Sequence, residues 1–253
     1  MIDTPFERYT SKSQFARVST EAWIADNGYC LGCNSERLLP TRANTEARDF
    51  ECQECGQAYE LKSALRPFGS RIVDGAYASM MRRIESGQVA NFLLLRYANP
   101  WAVTDIAAIH HSLITPDVIQ KRNPLAITAR RSGWVGCNIL LDGIPPEGRI
   151  TLMKDGLYLP KSEARRKFGA TQALAEQPLK TRNCSRALLN LIRTLPSNRF
   201  TLREVYRFER ELAALYPRNH NLRPKIRQQL QVLRDAGLLK FEGQGTYELT
   251  FAQ

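Results

Sequence analysis

The sequence predicts a mixed α/β (α+β) domain with an inserted four-cysteine zinc knuckle, followed by a small winged-helix domain. Three observations lead there. Helix-like and strand-like apolar patterns alternate through residues 1–180. Four of the six cysteines stand in two CxxC pairs, Cys30/Cys33 and Cys52/Cys55. From residue 181 to 253 the pattern runs helix, short extended segment, helix, helix and hairpin, which is the element order of a winged helix.

The first helix is predicted from about Ser13 to Asn27, where Phe15, Val18, Ala22, Trp23 and Ala25 form an apolar face and Gly28 ends it. The cysteine segment comes directly after it. Between Asp49 and Lys62 the pattern is a short strand, a CxxCG knuckle and a second strand. There Tyr59, Leu61 and Ser63 share one face, and Glu60 and Lys62 share the other. Asp74 to Glu85 reads as helix, with Tyr77, Met80, Met81 and Ile84 at helical spacing, and Asn91 to Tyr97 reads as a buried strand. Apolar periodicity weakens between about Asp155 and Lys180 while Lys161, Arg165, Arg166 and Lys167 accumulate, so the domain boundary is expected there, dividing 1–180 from 181–253. The tail predicts helices at Ser185–Thr194, Leu202–Leu215 and Pro224–Ala236, an extended Phe200-Thr201, and two strands around Gly243-Gln244-Gly245.

A length of 253 residues allows one sizeable core plus a smaller module, and 43% hydrophobic residues exclude disorder as the default. The net charge of +11 makes a polyanion, nucleic acid first, the partner to expect. Its distribution sharpens this: from Thr181 to Gln253 there are 13 Lys/Arg against 6 Asp/Glu, seven of the eleven net charges. No apolar run approaches membrane-spanning length, and Met1-Ile2-Asp3-Thr4-Pro5 lacks the features of a signal peptide, so a cytoplasmic protein without membrane contact is expected. In a reducing compartment clustered cysteines are metal ligands more often than disulfides. Cys137 and Cys184 are then left as buried apolar residues.

Two motifs carry chemistry. The CxxC pairs, separated by 18 residues, bring four thiolates to one ion, the donor set of a structural Zn²⁺ ribbon or treble clef with no open position for water. Asp49 stands ahead of Glu60-Leu61-Lys62, and two carboxylates with one lysine suit metal-dependent phosphodiester hydrolysis. Both acids can hold Mg²⁺ while the lysine meets the water or the developing charge. On spacing alone the same residues read more readily as a solvated charge pattern; the strand context and the basic chain around them favour the PD-(D/E)xK nuclease arrangement. Trp134, in Arg130-Arg131-Ser132-Gly133-Trp134, is either a core aromatic beside a phosphate-binding Arg pair or an apolar contact for a methylated base edge. Arg223, Lys225, Arg227, Gln228 and Gln231 lie on or just before the third tail helix, opposite Ile226, Leu230 and Leu233. They suit base and phosphate contacts, or simply a solvated face. His110, His111 and His220 lack matched ligand spacing and read as structural, Asn183-Cys184-Ser185 is a sequon without consequence inside a cell, and Glu21 reads as a helix-surface acid near the metal site.

Longer matches run in one order along the chain: Thr20-Glu-Ala-Trp23, the paired CxxC units, Asp49-Phe50, Glu60-Leu-Lys-Ser63, Asp74 to Arg82, Pro124-Leu-Ala126 and Thr128 to Asn138. In the tail Phe200-Thr-Leu202, Tyr206-Arg-Phe-Glu209 and Lys225 to Asp235 continue them. Over nearly its whole length the chain thereby resembles the DpnI-type methyl-directed restriction endonucleases. The resemblance implies a PD-(D/E)xK catalytic domain with a zinc knuckle inside it and a C-terminal winged helix that also binds DNA. It implies duplex GATC carrying N6-methyladenine as substrate, cut on both strands. It makes Asp49, Glu60 and the Leu61 carbonyl the Mg²⁺ ligands and puts Lys62 beside the attacking water, and it tilts Trp134 toward recognition. One departure stands: Arg48, not proline, precedes Asp49. No protein partner is implied, so a monomer is expected. The rival readings are a non-enzymatic methyl-DNA-binding regulator and a repair endonuclease.

Overall fold

A computed structural model of the chain describes residues 11–42, 45–98, 102–217 and 221–250; His220 and the Met1–Pro5 segment lie outside them. The elements are α1 (Lys12–Asn27), β1 (Leu39–Pro40), β2 (Phe50–Glu51), β3 (Ala58–Ala64), β4 (Arg71–Ala76), α2 (Tyr77–Glu85), β5 (Asn91–Ala98) and β6 (Ala102–Ile109). Next come β7 (Ile119–Lys121), β8 (Gly136–Leu140), β9 (Arg149–Lys154), β10 (Leu157–Tyr158), α3 (Lys161–Ala175) and α4 (Leu179–Ile192). The tail adds β11 (Arg199–Thr201), α5 (Leu202–Val205), α6 (Glu209–Leu215), α7 (Leu222–Asp235), β12 (Leu239–Gly243) and β13 (Thr246–Leu249). Two compact units result: 1–68 with 90–111 and 150–168, and 69–89 with 112–149 and 169–253. Among the described residues no helix is long and apolar enough to cross a membrane.

The first unit is built on a seven-stranded mixed sheet in the order β1-β2-β3-β5-β6-β9-β10. Within it β3 pairs antiparallel with β2 and parallel with β5. The apolar run Phe92-Leu93-Leu94-Leu95 of β5 is buried throughout, as a strand covered on both faces requires. α1 closes one face through Ile24 and Thr20, whose hydroxyl lies 3.3 Å from Ser63 Oγ on β3. With no capping side chain and a mixed composition, α1 draws its stability from this packing rather than from propensity. It stops at Gly28, where the amide bonds Ile24 O at 2.7 Å and a Cβ would sit 2.5 Å from that oxygen, so the exit needs glycine. The core joins Ile24, Phe50, Tyr59, Leu95, Ile106, Ile150 and Phe168.

The second unit holds a three-stranded antiparallel sheet, β4-β8-β7, and, later in the chain, a winged helix whose sheet runs β11-β13-β12. Residues Asp74–Ala76, read from sequence as the start of a helix, are the end of β4, because Val73 and Asp74 pair with Asn138 and Cys137 across the sheet. That pairing partner is too distant in sequence to enter a local pattern. The stretch read as a boundary contains α3, and its helical signal was Ala164, Phe168, Thr171 and Leu174, buried at spacings of four and three behind a screen of Lys and Arg. α4 begins at Leu179, directly after Pro178, ahead of the expected Ser185. The expected helix Leu202–Leu215 is interrupted by a 3₁₀ turn at Tyr206–Phe208. Its start obeys local rules: Thr201 Oγ1 accepts from the Glu204 amide at 3.3 Å while Glu204 Oε2 accepts from the Thr201 amide at 2.7 Å, a capping box. The wing turns through Gly243, Gln244 and Gly245, all at positive φ, which explains the two glycines. Cys137 and Cys184 are buried thiols, as expected.

Two ion pairs fasten α4 to the 112–149 segment. Arg186 bonds Asp117, Thr115 and the Gly143 carbonyl, with Asn190 reaching the same carbonyl at 2.8 Å. Arg193 pairs with Glu147, whose side chain is wholly enclosed.

Candidate active site

The hydrogen bonds of the β2–β3 pair assemble the three residues singled out from the sequence. Phe50 faces Tyr59 in the ladder, and the Asp49 amide continues it by donating to Tyr59 O at 2.9 Å, so Asp49 lies alongside Glu60 and Leu61. Its other side is held as well, since the Thr41 amide donates to Asp49 O at 2.9 Å. The Asp49 carboxylate is oriented by the chain itself: Leu61 N donates to Asp49 Oδ2 at 2.7 Å. Glu60 and Lys62, two residues apart on a strand, project from one face, and Lys62 Nζ donates to Glu60 Oε1 at 2.6 Å. Lys62 Nζ also stands 5.8 Å from the centre of the Phe92 ring on β5. Glu60 is buried and Lys62 half-buried, so this pair is less screened than a surface ion pair.

A third acid belongs to the neighbourhood. Burial pushes the Glu21 carboxyl of α1 above its ordinary range, Arg17 at 3.3 Å pulls it down, and the Asp49 carboxylate adds to the rise. Sequence reading gave Glu21 as a helix-surface acid near the metal site. Its approach to Asp49 depends on α1 lying against β3, which no local pattern announces. Among the described residues these acids do not gather into a three-donor metal cluster as the four cysteines do, though carboxylate oxygens are the hard donors that Mg²⁺ takes.

The four cysteines converge. The Sγ atoms of Cys30, Cys33, Cys52 and Cys55 all lie within 4.8 Å of one another, with Cys30–Cys55 and Cys33–Cys52 each at 3.5 Å. Tetrahedral zinc, with Zn–S bonds of about 2.3 Å, spaces its sulfurs roughly 3.8 Å apart, so the cluster could hold that ion with little adjustment. The local chain is shaped for it: Gly56 at φ 71° bonds Cys52 O at 2.8 Å, and the Cys52 amide bonds Gln57 O at 2.9 Å. Despite burial, amide donors from Cys55 and Glu54 and the neighbouring thiols hold the Cys52 thiol down at about 7. The knuckle is tied to the sheet through Tyr59, whose hydroxyl accepts from Leu31 N at 3.0 Å and lies 3.4 Å from Cys30 Sγ. From α3, Arg165 donates to Cys30 O and Ser35 O and lies over the Tyr29 ring, a brace that the sequence did not disclose.

In the second unit, Arg130 and Arg131 are exposed on the 122–135 loop between β7 and β8. Trp134 is half-buried at its base, its indole against Gly136, where a Cβ would come within 2.7 Å of the ring. On α7, Ile226, Leu230 and Leu233 are buried, and Arg223, Arg227, Gln228 and Gln231 are exposed on the opposite face. Arg223 pairs with Glu209 at 2.9 Å and covers Tyr206, Arg227 donates to the Tyr206 hydroxyl at 2.8 Å, and half-buried Lys225 donates to Gln228 at 2.9 Å. His110 is buried against Phe168, and His111 bonds Asn91. Among the described residues neither histidine belongs to a metal-capable cluster.

Residues 3–177 match the family model described as the DpnI, or Dam-replacing, family, and residues 181–249 match the Dam-replacing HTH domain. The first match alone covers well over half of the 253 residues, and it contains both CxxC pairs and the Asp49/Glu60/Lys62 strand pair. The chain therefore belongs to the Dam-replacing (DpnI) family of methyl-directed restriction endonucleases, with the family's C-terminal helix-turn-helix domain.

Proposed function

We propose that this protein is a Mg²⁺-dependent endonuclease that hydrolyses both strands of duplex DNA at GATC sites carrying N6-methyladenine. Residues 1–180 form its catalytic domain and 181–253 its winged-helix DNA-binding domain. The observation that carries the reading is the β2–β3 pair. It combines an Asp49 carboxylate aligned by the Leu61 amide with a Glu60–Lys62 pair on one face, inside a chain of this family. Asp49 and Glu60, with the Leu61 carbonyl, would hold Mg²⁺, which supplies Lewis-acid polarisation of the scissile phosphate. The remaining work falls to the protein. The backbone clamp on Asp49 keeps its carboxylate from swinging away, so the donor set is ordered before substrate arrives. The Lys62 ammonium, placed by Glu60, orients the water and stabilises the charge that builds on the phosphate in flight. Zn²⁺ on Cys30, Cys33, Cys52 and Cys55 is structural, since four thiolates leave no position for water.

Recognition divides between Arg130, Arg131 and Trp134 in one place and Arg223, Lys225, Arg227, Gln228 and Gln231 in another. An N6-methyl group adds an apolar contact to the major-groove edge of adenine, which suits an indole beside donors and cations. Arg and Gln on a recognition helix suit guanine and adenine. The protein acts as a cytoplasmic monomer. Digestion of one plasmid, prepared with and without adenine methylation at GATC, with and without Mg²⁺, tests this. Fragments only from the methylated sample with Mg²⁺ are expected. A gel shift without fragments would turn the reading to a methyl-DNA-binding regulator, and fragments independent of methylation would turn it to a repair nuclease.

A further inference from the structure

The β7–β8 connection, residues 122–135, is a closed structure that lifts one apolar side chain into solvent. The strands pair as Lys121 with Cys137, and the Arg122 amide bonds Gly136 O at 3.0 Å beyond them. Farther out, Leu125 N bonds Trp134 O at 2.9 Å and Gly133 N bonds Leu125 O at 3.1 Å, a second rung made possible by Gly133 at φ 76°. Trp134 braces the base by lying on the Gly136 backbone. Past this rung the Ala129 amide bonds Ala126 O at 2.9 Å, closing a turn with Ile127 at its crest. Ile127 is 90% exposed, more than any other large apolar residue described, and Leu125 below it is 37% exposed.

Single apolar residues on a surface need no explanation; the setting of this one does. From Val118 to Leu141 the chain contains Lys121, Arg122, Arg130 and Arg131 and no Asp or Glu, so the loop that raises Ile127 is purely cationic. The contrast with the other exposed pair, Leu157 and Tyr158, is direct, because that hairpin turns through Asp155. A cationic collar about a β-branched tip suits a polyanion with an apolar interior open only at a gap between stacked bases. A protein partner would need a wider apolar patch than one side chain.

We propose that Ile127 is a wedge: the hairpin seats its arginines on the phosphates of duplex DNA and inserts Ile127 between two base pairs, unstacking that step and kinking the duplex. This rests on the reading of the protein as a DNA-binding nuclease and adds to it a DNA distortion that no base-edge contact supplies. Unstacking is repaid by the added phosphate contacts that a kinked duplex offers, the balance by which apolar side chains act in architectural DNA-binding proteins.

The test uses the full-length chain with Lys62→Ala, so that bound DNA is not cut, and duplexes with 2-aminopurine placed in turn at each step across and beside a methylated GATC. A several-fold rise in fluorescence at one step is expected on binding. It should fall to the free-duplex level when Ile127→Ala is added and persist with Ile127→Leu, with Arg130→Ala weakening binding without moving the affected step. If the Ile127→Ala protein binds the methylated duplex and gives the same fluorescence profile, the wedge is overturned while the nuclease reading stands, provided the unaltered protein cuts the methylated plasmid. If the unaltered protein neither binds nor cuts that DNA, both fall. Self-association through the hairpin, seen as a dimer in sedimentation that Ile127→Ala abolishes, would also overturn the wedge in favour of a contact between copies.

Discussion

Asp49, Glu60 and Lys62 on the β2–β3 pair, and the polar face of α7, are both sets of charges on regular elements, yet they are held in opposite ways. On the strands the carboxylates are fixed by backbone, through Leu61 N on Asp49, and by a pair shielded from water, Lys62 on Glu60. On α7 the exposed Arg223 and Arg227 rest on Glu209 and Tyr206, contacts in full solvent that rearrange at little cost. On the proposed function the difference separates two tasks. A reacting centre must be in place before its substrate, whereas a surface that meets a long anion gains by side chains that adjust to it.

Measurements can break that contrast or sharpen it, and metal should have the largest effect. Chelation, or Cys52→Ser, should unfold the knuckle that carries the chain from α1 to β2 and with it eliminate cleavage, since structural zinc contributes on the order of 10 kcal/mol to small sites. Circular dichroism and zinc release followed together check it; a chelated protein that stays folded and active would break the claim of a prefixed centre. Next, Asp49→Ala or Lys62→Ala should lower the single-turnover cleavage rate by roughly 10³-fold or more while leaving DNA affinity within a few-fold.

Arg193→Ala comes third. It leaves the enclosed Glu147 carboxylate without its cation and should cost about 3 kcal/mol in urea unfolding, whereas a surface pair would cost well under 1 kcal/mol. Arg227→Ala should weaken binding to methylated and unmethylated duplexes alike if the side chain meets phosphate, lowering the salt slope by about one; selective loss on GATC would instead assign it to a base. The smallest effect concerns a carboxylate of the first sheet away from the site. Burial works against the Asp105 charge, but Arg96, Thr104, Lys154 and the Asp155 amide hold its pKa down at about 2. Its ordinary value is 3.8, so the stability it contributes is present above pH 3.8 and is lost as pH falls toward 2. Asp105→Asn should therefore cost on the order of 1 kcal/mol at pH 7, progressively less as pH falls through about 2, with cleavage unchanged.

What could be read before folding was what local chemistry dictates. α1 and its glycine exit, the strand–knuckle–strand around Cys52 and Cys55, the buried β5 and the order of the tail elements all come from short-range spacing. The β4-β8-β7 sheet did not, because its strands are short and β4 meets its partner some 60 residues away, as Asp74 meets Cys137. Nor did α3, whose narrow buried stripe is masked by as many cations, which brace the knuckle and face solvent. At the candidate site, period-two geometry put Glu60 and Lys62 on one face, but the Leu61 amide on Asp49 and the approach of Glu21 arise only when β2 and α1 come to lie against β3.

Gln229 lies wholly enclosed on α7 and accepts a 2.6 Å hydrogen bond from Ser185 of α4. One polar contact on an otherwise greasy helix face acts as a keyway. Gln229 Nε2 is buried without a partner among the described residues, so the Ser185 hydroxyl is what holds the amide; rolling α7 by one residue, about 100°, would break that bond and strand the serine, and the bond fixes one rotational phase. If α7 reads DNA as proposed, descendants of this sequence that change what it reads can do so only by exchanging the side chains at fixed angular stations, such as Arg227, Gln228 and Gln231. On that reading the keyed helix turns recognition into a set of discrete, separately editable letters.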